Sequence, residues 1–146
     1  MDAAWLDEFV AAWRQHAQAG GPAGGEAARR ILERFDDDGV WEDVAAQASY
    51  HGHRELQEMF EQSYQWSPTL MFDVVQAHGG ADFYSIEWEM HGEGNGAFGA
   101  MPATDKAFRV RGVSVGAVDP SGQVTLHRDY WDRLAWMTQV GLADPS

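Results

Sequence analysis

The sequence predicts an α+β fold, a curved antiparallel sheet folded over helices that come first in the chain. Three observations carry this. Apolar residues recur at helical spacing through much of the first 64 positions. The second half alternates apolar and polar residues in runs of strand length. The run Asp119-Pro-Ser-Gly122 has the chemistry of a tight turn between the last two of those strands. Helices followed by a run of antiparallel strands is the pattern of an α+β domain.

The elements follow in order. Residues 3–18 read as a helix, with Trp5, Leu6, Phe9, Val10 and Trp13 on one face. Ala19 to Gly25 is rich in glycine and breaks the chain. It lacks the Gly-Lys-Ser/Thr ending of a phosphate loop and reads as a linker. A second helix spans 26–36, with Ala28, Ile31, Leu32 and Phe35 as its stripe and Gly39 as its stop. Residues 40–44 form a short strand. A third helix covers 54–64 and turns Leu56, Met59 and Phe60 inward. Strands are expected over 69–78, 82–92, 95–101, 106–118 and 123–132. A last helix over 133–140 ends at Gly141.

Composition narrows the function. A chain of 146 residues is one ordinary domain and can bury a core without staples. Without cysteine there is no disulfide, thiolate nucleophile or Cys-based metal site. No apolar run reaches the roughly 20 residues that cross a bilayer. The start Met1-Asp-Ala-Ala-Trp-Leu has no basic segment, so no secretory leader is expected and the location is read as cytoplasmic. A net charge of −13 repels phosphate backbones and anionic lipid, so neither nucleic acid nor membrane is an expected partner. Seven Trp and seven Phe either fill a core or line a cavity for a small apolar ligand.

Two segments carry a resemblance. Gly96-Ala-Phe-Gly-Ala-Met-Pro-Ala-Thr-Asp-Lys-Ala-Phe108 precedes a long strand, and His127-Arg-Asp-Tyr-Trp-Asp132 lies on the next. Together they resemble the C-terminal half of the SnoaL-like polyketide cyclases, in the nuclear-transport-factor-2-like superfamily. The resemblance covers residues 26–141. It implies one SnoaL-like domain over 1–146, a cone-shaped sheet packed on three N-terminal helices, and a deep pocket. It makes Asp129 the proton donor or acceptor. The run Arg128 to Asp132 is also similar to the corresponding run of limonene epoxide hydrolases, whose first Asp is catalytic. Asp132 reads as the cap of the last helix.

The strand 82–92 is open to two readings. Alternation puts Tyr84, Ile86, Trp88 and Met90 on one face and Phe83, Ser85, Glu87, Glu89 and His91 on the other. Periodicity alone points the acids to water. The resemblance to limonene epoxide hydrolases points Glu87 and Glu89 into the pocket and turns Trp88 outward; His91, on the face of the two acids and titrating near neutrality, is a candidate proton carrier ahead of His78. A homodimer through the outer face of the sheet, on Ile86, Trp88 and Met90, is then expected. Ser114 stands where the cyclases carry a His and ketosteroid isomerases an Asp. Val40-Trp-Glu-Asp43 resembles a ketosteroid isomerase stretch and makes Asp43 a candidate base.

The expected catalytic set is therefore Asp129, Glu87, Glu89, His91 and Asp43. Ser114, Trp41, Phe60, Phe72, Phe83, Phe98, His127 and Trp131 are expected to bind substrate or wall the pocket. His51-Gly-His53 has no third ligand and resembles a helix entry rather than a metal site. A carboxylic acid in a water-poor cavity can give a proton to a carbonyl or epoxide oxygen and take one back, with no metal or organic cofactor. Three functions fit: a polyketide-type aldol cyclase or isomerase, an epoxide hydrolase, and a non-catalytic binder of hydrophobic molecules.

Overall fold

A computed structural model describes residues 2–19, 24–96 and 101–143. Helices α1 (Ala3–Ala19) and α2 (Gly24–Leu32) come first, then β1 (Phe35–Asp43) and β2 (Ala48–His51). Helix α3 (Gly52–Trp66) leads into β3 (Met71–Gly79), β4 (Phe83–Glu93), β5 (Ala107–Val118) and β6 (Val124–Trp131). Helix α4 (Arg133–Gln139) closes the fold. Asp132 caps it as expected, its carboxylate accepting the Ala135 N–H at 2.9 Å.

The six strands form one curved, unclosed sheet in the order β2-β1-β6-β5-β4-β3. All neighbours are antiparallel except β1 and β6, which run parallel. Strand β2 is not foreseen in the sequence, and two other differences are instructive. Phe35 opens β1 instead of ending α2, because its backbone pairs with Val124 and its ring stacks on Trp41. The i, i+3, i+4 spacing of the helix stripe fits both placements, and pairing with β6 decides. The strand expected over 95–101 is absent where it is described. Gly94 to Gly96 is irregular and is tied to the end of α3 by the Gly96 N–H on Trp66 O, 2.8 Å.

The sheet buries its concave face. Phe9 and Trp13 of α1, Ile31 of α2 and Leu56 and Phe60 of α3 pack on Trp41, Tyr84, Ile86 and Trp88. A second cluster joins Tyr64 and Trp66 to Phe108, Val110 and Trp136. Tyr84, Ile86 and Trp88 are 0–2% exposed and point inward. The apolar patch behind the dimer expectation thus faces the core. Phe83, Val115 and Tyr130 are exposed apolar side chains of the outer face. Among the described residues, no helix is long and apolar enough to cross a membrane.

Two glycines shape the inner face. Gly112 and Gly116 of β5 sit opposite Trp88 and Tyr84 of β4. A Cβ at Gly116 would lie 2.1 Å from the Tyr84 ring, and one at Gly112 would lie 2.4 Å from the Trp88 ring. Both aromatic side chains therefore lie flat across β5, toward β6, over the space these glycines leave.

Candidate active site

A cavity of about 360 Å³ opens between the concave face and the helices. Its wall is aromatic, with Trp13, Trp41, Phe60, Phe72, Trp131 and Trp136 among its residues, and Met59, Met90 and Met101 add to it. Asp43, Asp129 and Arg133 are its charged members. The volume lies at the small end of the range for ligand pockets.

Strand register assembles the polar part. Asp43, Asp129, Ser114 and Ile86 lie side by side across β1, β6, β5 and β4. The next row holds Trp41, His127, Gly116 and Tyr84. Adjacent strands are about 4.8 Å apart, so the side chains of a row touch.

Asp129 sits where these rows meet. Its Oδ1 accepts the Ser114 hydroxyl at 2.6 Å and faces His127 Nε2 at 2.9 Å. Its Oδ2 accepts the Trp41 indole N–H at 2.9 Å. Ser114 in turn accepts the Trp88 indole N–H at 2.8 Å, so its single proton is free to go to Asp129. The Asp129 side chain keeps 15% of its surface, on the cavity side.

Asp43 is the second acid of the cavity. Its Oδ1 accepts the Trp131 indole N–H at 2.9 Å and the Ala46 backbone N–H at 3.0 Å. Burial pushes its pKa above the usual carboxylate value, and the neighbouring charge of Asp129 adds to this. The two hydrogen bonds and Arg133 oppose the shift. The Tyr50 phenol, also in the wall, is raised by burial and then by Asp43.

Several sequence expectations are corrected here. Glu87 and Glu89 lie on the outer face, as periodicity reads them and against the resemblance. Glu89 pairs with Arg109 and Arg111, and Glu87 accepts the Gln76 amide at 2.6 Å. Their strand neighbours Trp88 and Ile86 occupy the interior, and a strand cannot point both sets inward. His91 shares that outer face and bonds Asp73 at 3.0 Å. Phe83 is 55% exposed and walls nothing. Ser114 and His127 are fully buried behind Asp129 and touch the carboxylate, not the cavity. Phe98 lies outside the described residues. Trp41, Phe60, Phe72 and Trp131 are in the wall. His53 bonds the Phe35 carbonyl at 2.9 Å. Among the described residues no three His, Cys, Asp or Glu side chains form a group able to hold a metal.

Sequence reasoning missed Trp13, Tyr50 and Tyr84. Trp13 belongs to the α1 stripe, which reads equally well as plain core. For Tyr84 there is a signal: alternation puts it on the face of Ile86 and Trp88, and Gly116 leaves the room it fills.

A family model for the SnoaL-like domain matches residues 6–127. No curated protein sequence matches. Among solved structures, a protein from Jannaschia sp. CCS1 described as a SnoaL-like polyketide cyclase superposes with a TM-score of 0.79 at 17% identity, over 97% of this chain and 94% of that one. A protein of ketosteroid isomerase-like fold from Catenulispora acidiphila, in complex with trimethylamine, gives 0.75 at 18% identity, over 93% and 94%. The epoxide hydrolase/cyclase-like enzyme SalBIII gives 0.69 at 14% identity, over 92% and 95%. At these identities the likeness is one of fold.

Proposed function

This chain belongs to the SnoaL-like domain family, and we propose that it is a small-molecule enzyme of the cyclase or isomerase type, working by carboxylate acid/base chemistry on an apolar carbonyl compound. One observation carries this reading. A carboxylate receiving N–H and O–H donors on both oxygens, Asp129, stands in an aromatic cavity beside a second acid, Asp43, whose pKa is raised.

The two acids divide the work. Asp129 takes a proton from the carbon next to the carbonyl. The C–H electron pair becomes the enol double bond, and the carbonyl oxygen receives a proton from Asp43. The enol then attacks a second carbonyl of the same molecule and closes a ring, or is reprotonated elsewhere and isomerises. Each path returns a proton to Asp43 and takes one from Asp129, so no cofactor is consumed. The aromatic wall holds an apolar substrate and excludes water, which strengthens both transfers.

The adjacent acids also favour a second reading, epoxide hydrolysis. Asp43 would then protonate the epoxide oxygen while Asp129 activates water.

The test uses 2-tetralone, an apolar ketone with exchangeable α-protons, in D₂O followed by NMR, with styrene oxide hydration as a parallel assay. The wild type should accelerate α-proton exchange, and Asp129→Asn should not. Hydration of styrene oxide without exchange shifts the reading to epoxide chemistry. Quenching of tryptophan fluorescence by both compounds with neither reaction leaves a binding protein.

A further inference from the structure

Behind Asp129 lies a chain of groups that the proposed reaction does not itself touch. His127 is 0% exposed, and Tyr84 is 1% exposed. The Tyr84 hydroxyl lies 2.5 Å from His127 Nδ1, and His127 Nε2 lies 2.9 Å from Asp129 Oδ1. The rings of Trp13, Phe35, Trp41 and Tyr84 surround the imidazole.

We propose that Tyr84 and His127 are positioning residues that form a one-way hydrogen-bond chain, Tyr84 O–H to Nδ1 and Nε2–H to Asp129, fixing this carboxylate as a proton acceptor. The proposal rests on reading Asp129 as the base.

The direction follows from counting protons. A neutral imidazole has one donor and one acceptor nitrogen. Oδ1 of Asp129 already receives the Ser114 proton, and Oδ2 receives that of Trp41. An N–H on Nε2 adds a third donor to an acceptor that can take it. The opposite tautomer sets a bare Nε2 against Oδ1 and an N–H against Tyr84. The Tyr84 proton would then have no place, because His127 is the only hydrogen-bond partner of that hydroxyl among the described residues. A buried donor left without an acceptor is strongly disfavoured. Burial and the charge of Asp129 also keep Tyr84 protonated, far above the ordinary tyrosine value. The chain therefore runs from Tyr84 to Asp129.

The backbone is built for this crossing. Tyr84 and His127 are separated by β5, and the residue between them is Gly116. A Cβ there would stand 2.4 Å from the Tyr84 oxygen. The glycine opens the passage through which the phenol reaches the imidazole. Three hydrogen bonds thus hold the carboxylate plane, while its cavity side stays open.

The experiment reads the imidazole directly, with no substrate. Long-range ¹H–¹⁵N correlation spectra of the histidine-labelled protein at pH 7 should show His127 as the Nε2–H tautomer with Nδ1 as acceptor. Tyr84→Phe removes only the hydroxyl and should give a mixture of tautomers. In the tetralone exchange assay the same variant should lower kcat about 2- to 10-fold with KM unchanged, the worth of a hydrogen bond between neutral groups. Should Tyr84→Phe not fold, His127→Gln keeps an N–H for Asp129 and His127→Leu does not. Gln should stay within about tenfold of wild type while Leu falls at least a further tenfold. An Nδ1–H or doubly protonated imidazole in the wild type overturns the chain. So does a tautomer untouched by Tyr84→Phe, or equal activity of the Gln and Leu variants. If the wild type exchanges no tetralone proton, the base reading of Asp129 is what fails, and the tautomer still decides the chain.

Discussion

The two faces of this sheet treat their acids in opposite ways. On the outer face Glu89 meets Arg109 and Arg111, whose side chains are 59% and 72% exposed, and Glu42 meets Arg128 at 2.8 Å. Such pairs sit in high dielectric and are worth about 0–1 kcal/mol each. On the inner face, among the described residues, Asp129 has no Lys or Arg hydrogen-bond partner. It is held by an indole, a hydroxyl and an imidazole instead. In a low dielectric those bonds strengthen, and any missing one is expensive. A charge balanced by another charge is inert. A charge balanced by dipoles in a largely aromatic cavity is available for chemistry.

Substitutions test that contrast from the strongest expected effect downward. Asp129→Asn keeps the shape and removes the proton acceptor. Turnover on any substrate that the wild type converts should fall roughly 10²–10⁴-fold, and the melting temperature should fall too, because the amide NH₂ faces a buried donor that a carboxylate oxygen accepted. Retained turnover would move the chemistry elsewhere in the cavity. Gly116→Ala comes next. Its methyl collides with the Tyr84 ring, and overpacking of this kind costs about 1–3 kcal/mol in denaturant unfolding. Unchanged stability would mean that Tyr84 does not lie across β5.

Asp43 gives a pH signature. Its folded-state pKa is raised, so the native state binds more protons than the unfolded chain once the pH exceeds the ordinary carboxylate value. Its contribution to stability is full below that value and declines as the pH climbs toward the raised folded pKa. Asp43→Asn should therefore raise the melting temperature at pH 7 and change it less at pH 4, measured by calorimetry. The smallest effect belongs to the outer face. Glu89→Gln should change unfolding free energy by no more than about 0.5 kcal/mol, and less in high salt. A large loss there would erase the distinction between the faces.

Much of this was legible in the residues. The motif from His127 to Asp132 marks Asp129, and the alternation of β4 separates Tyr84, Ile86 and Trp88 from Glu87, Glu89 and His91 without help. The resemblance to limonene epoxide hydrolases misplaces Glu87 and Glu89, because the facing of a strand is set by its own alternation and not by a relative's pocket. Phe35 was illegible for another reason. Its place is set by β6, about ninety residues onward, while its local spacing suits a helix. The roles of Ser114 and His127 needed register. Only when β5 and β6 are aligned does Ser114 fall beside Asp129, and only then does Gly116 open a path for Tyr84.

The parallel pairing of β1 with β6 has a kinetic consequence. Both indole-to-carboxylate bonds of the cavity, Trp41 to Asp129 and Trp131 to Asp43, join groups 88 positions apart. Contacts of such separation carry the largest loop-closure cost and form late. During synthesis β1 must wait for β6 with one edge unpaired, and Asp36, Asp37 and Asp38 near its start supply charges of the kind that keep a waiting edge from pairing with another chain. The two acids come together only when the last strand arrives, so a chain released before β6 has no acid pair at all.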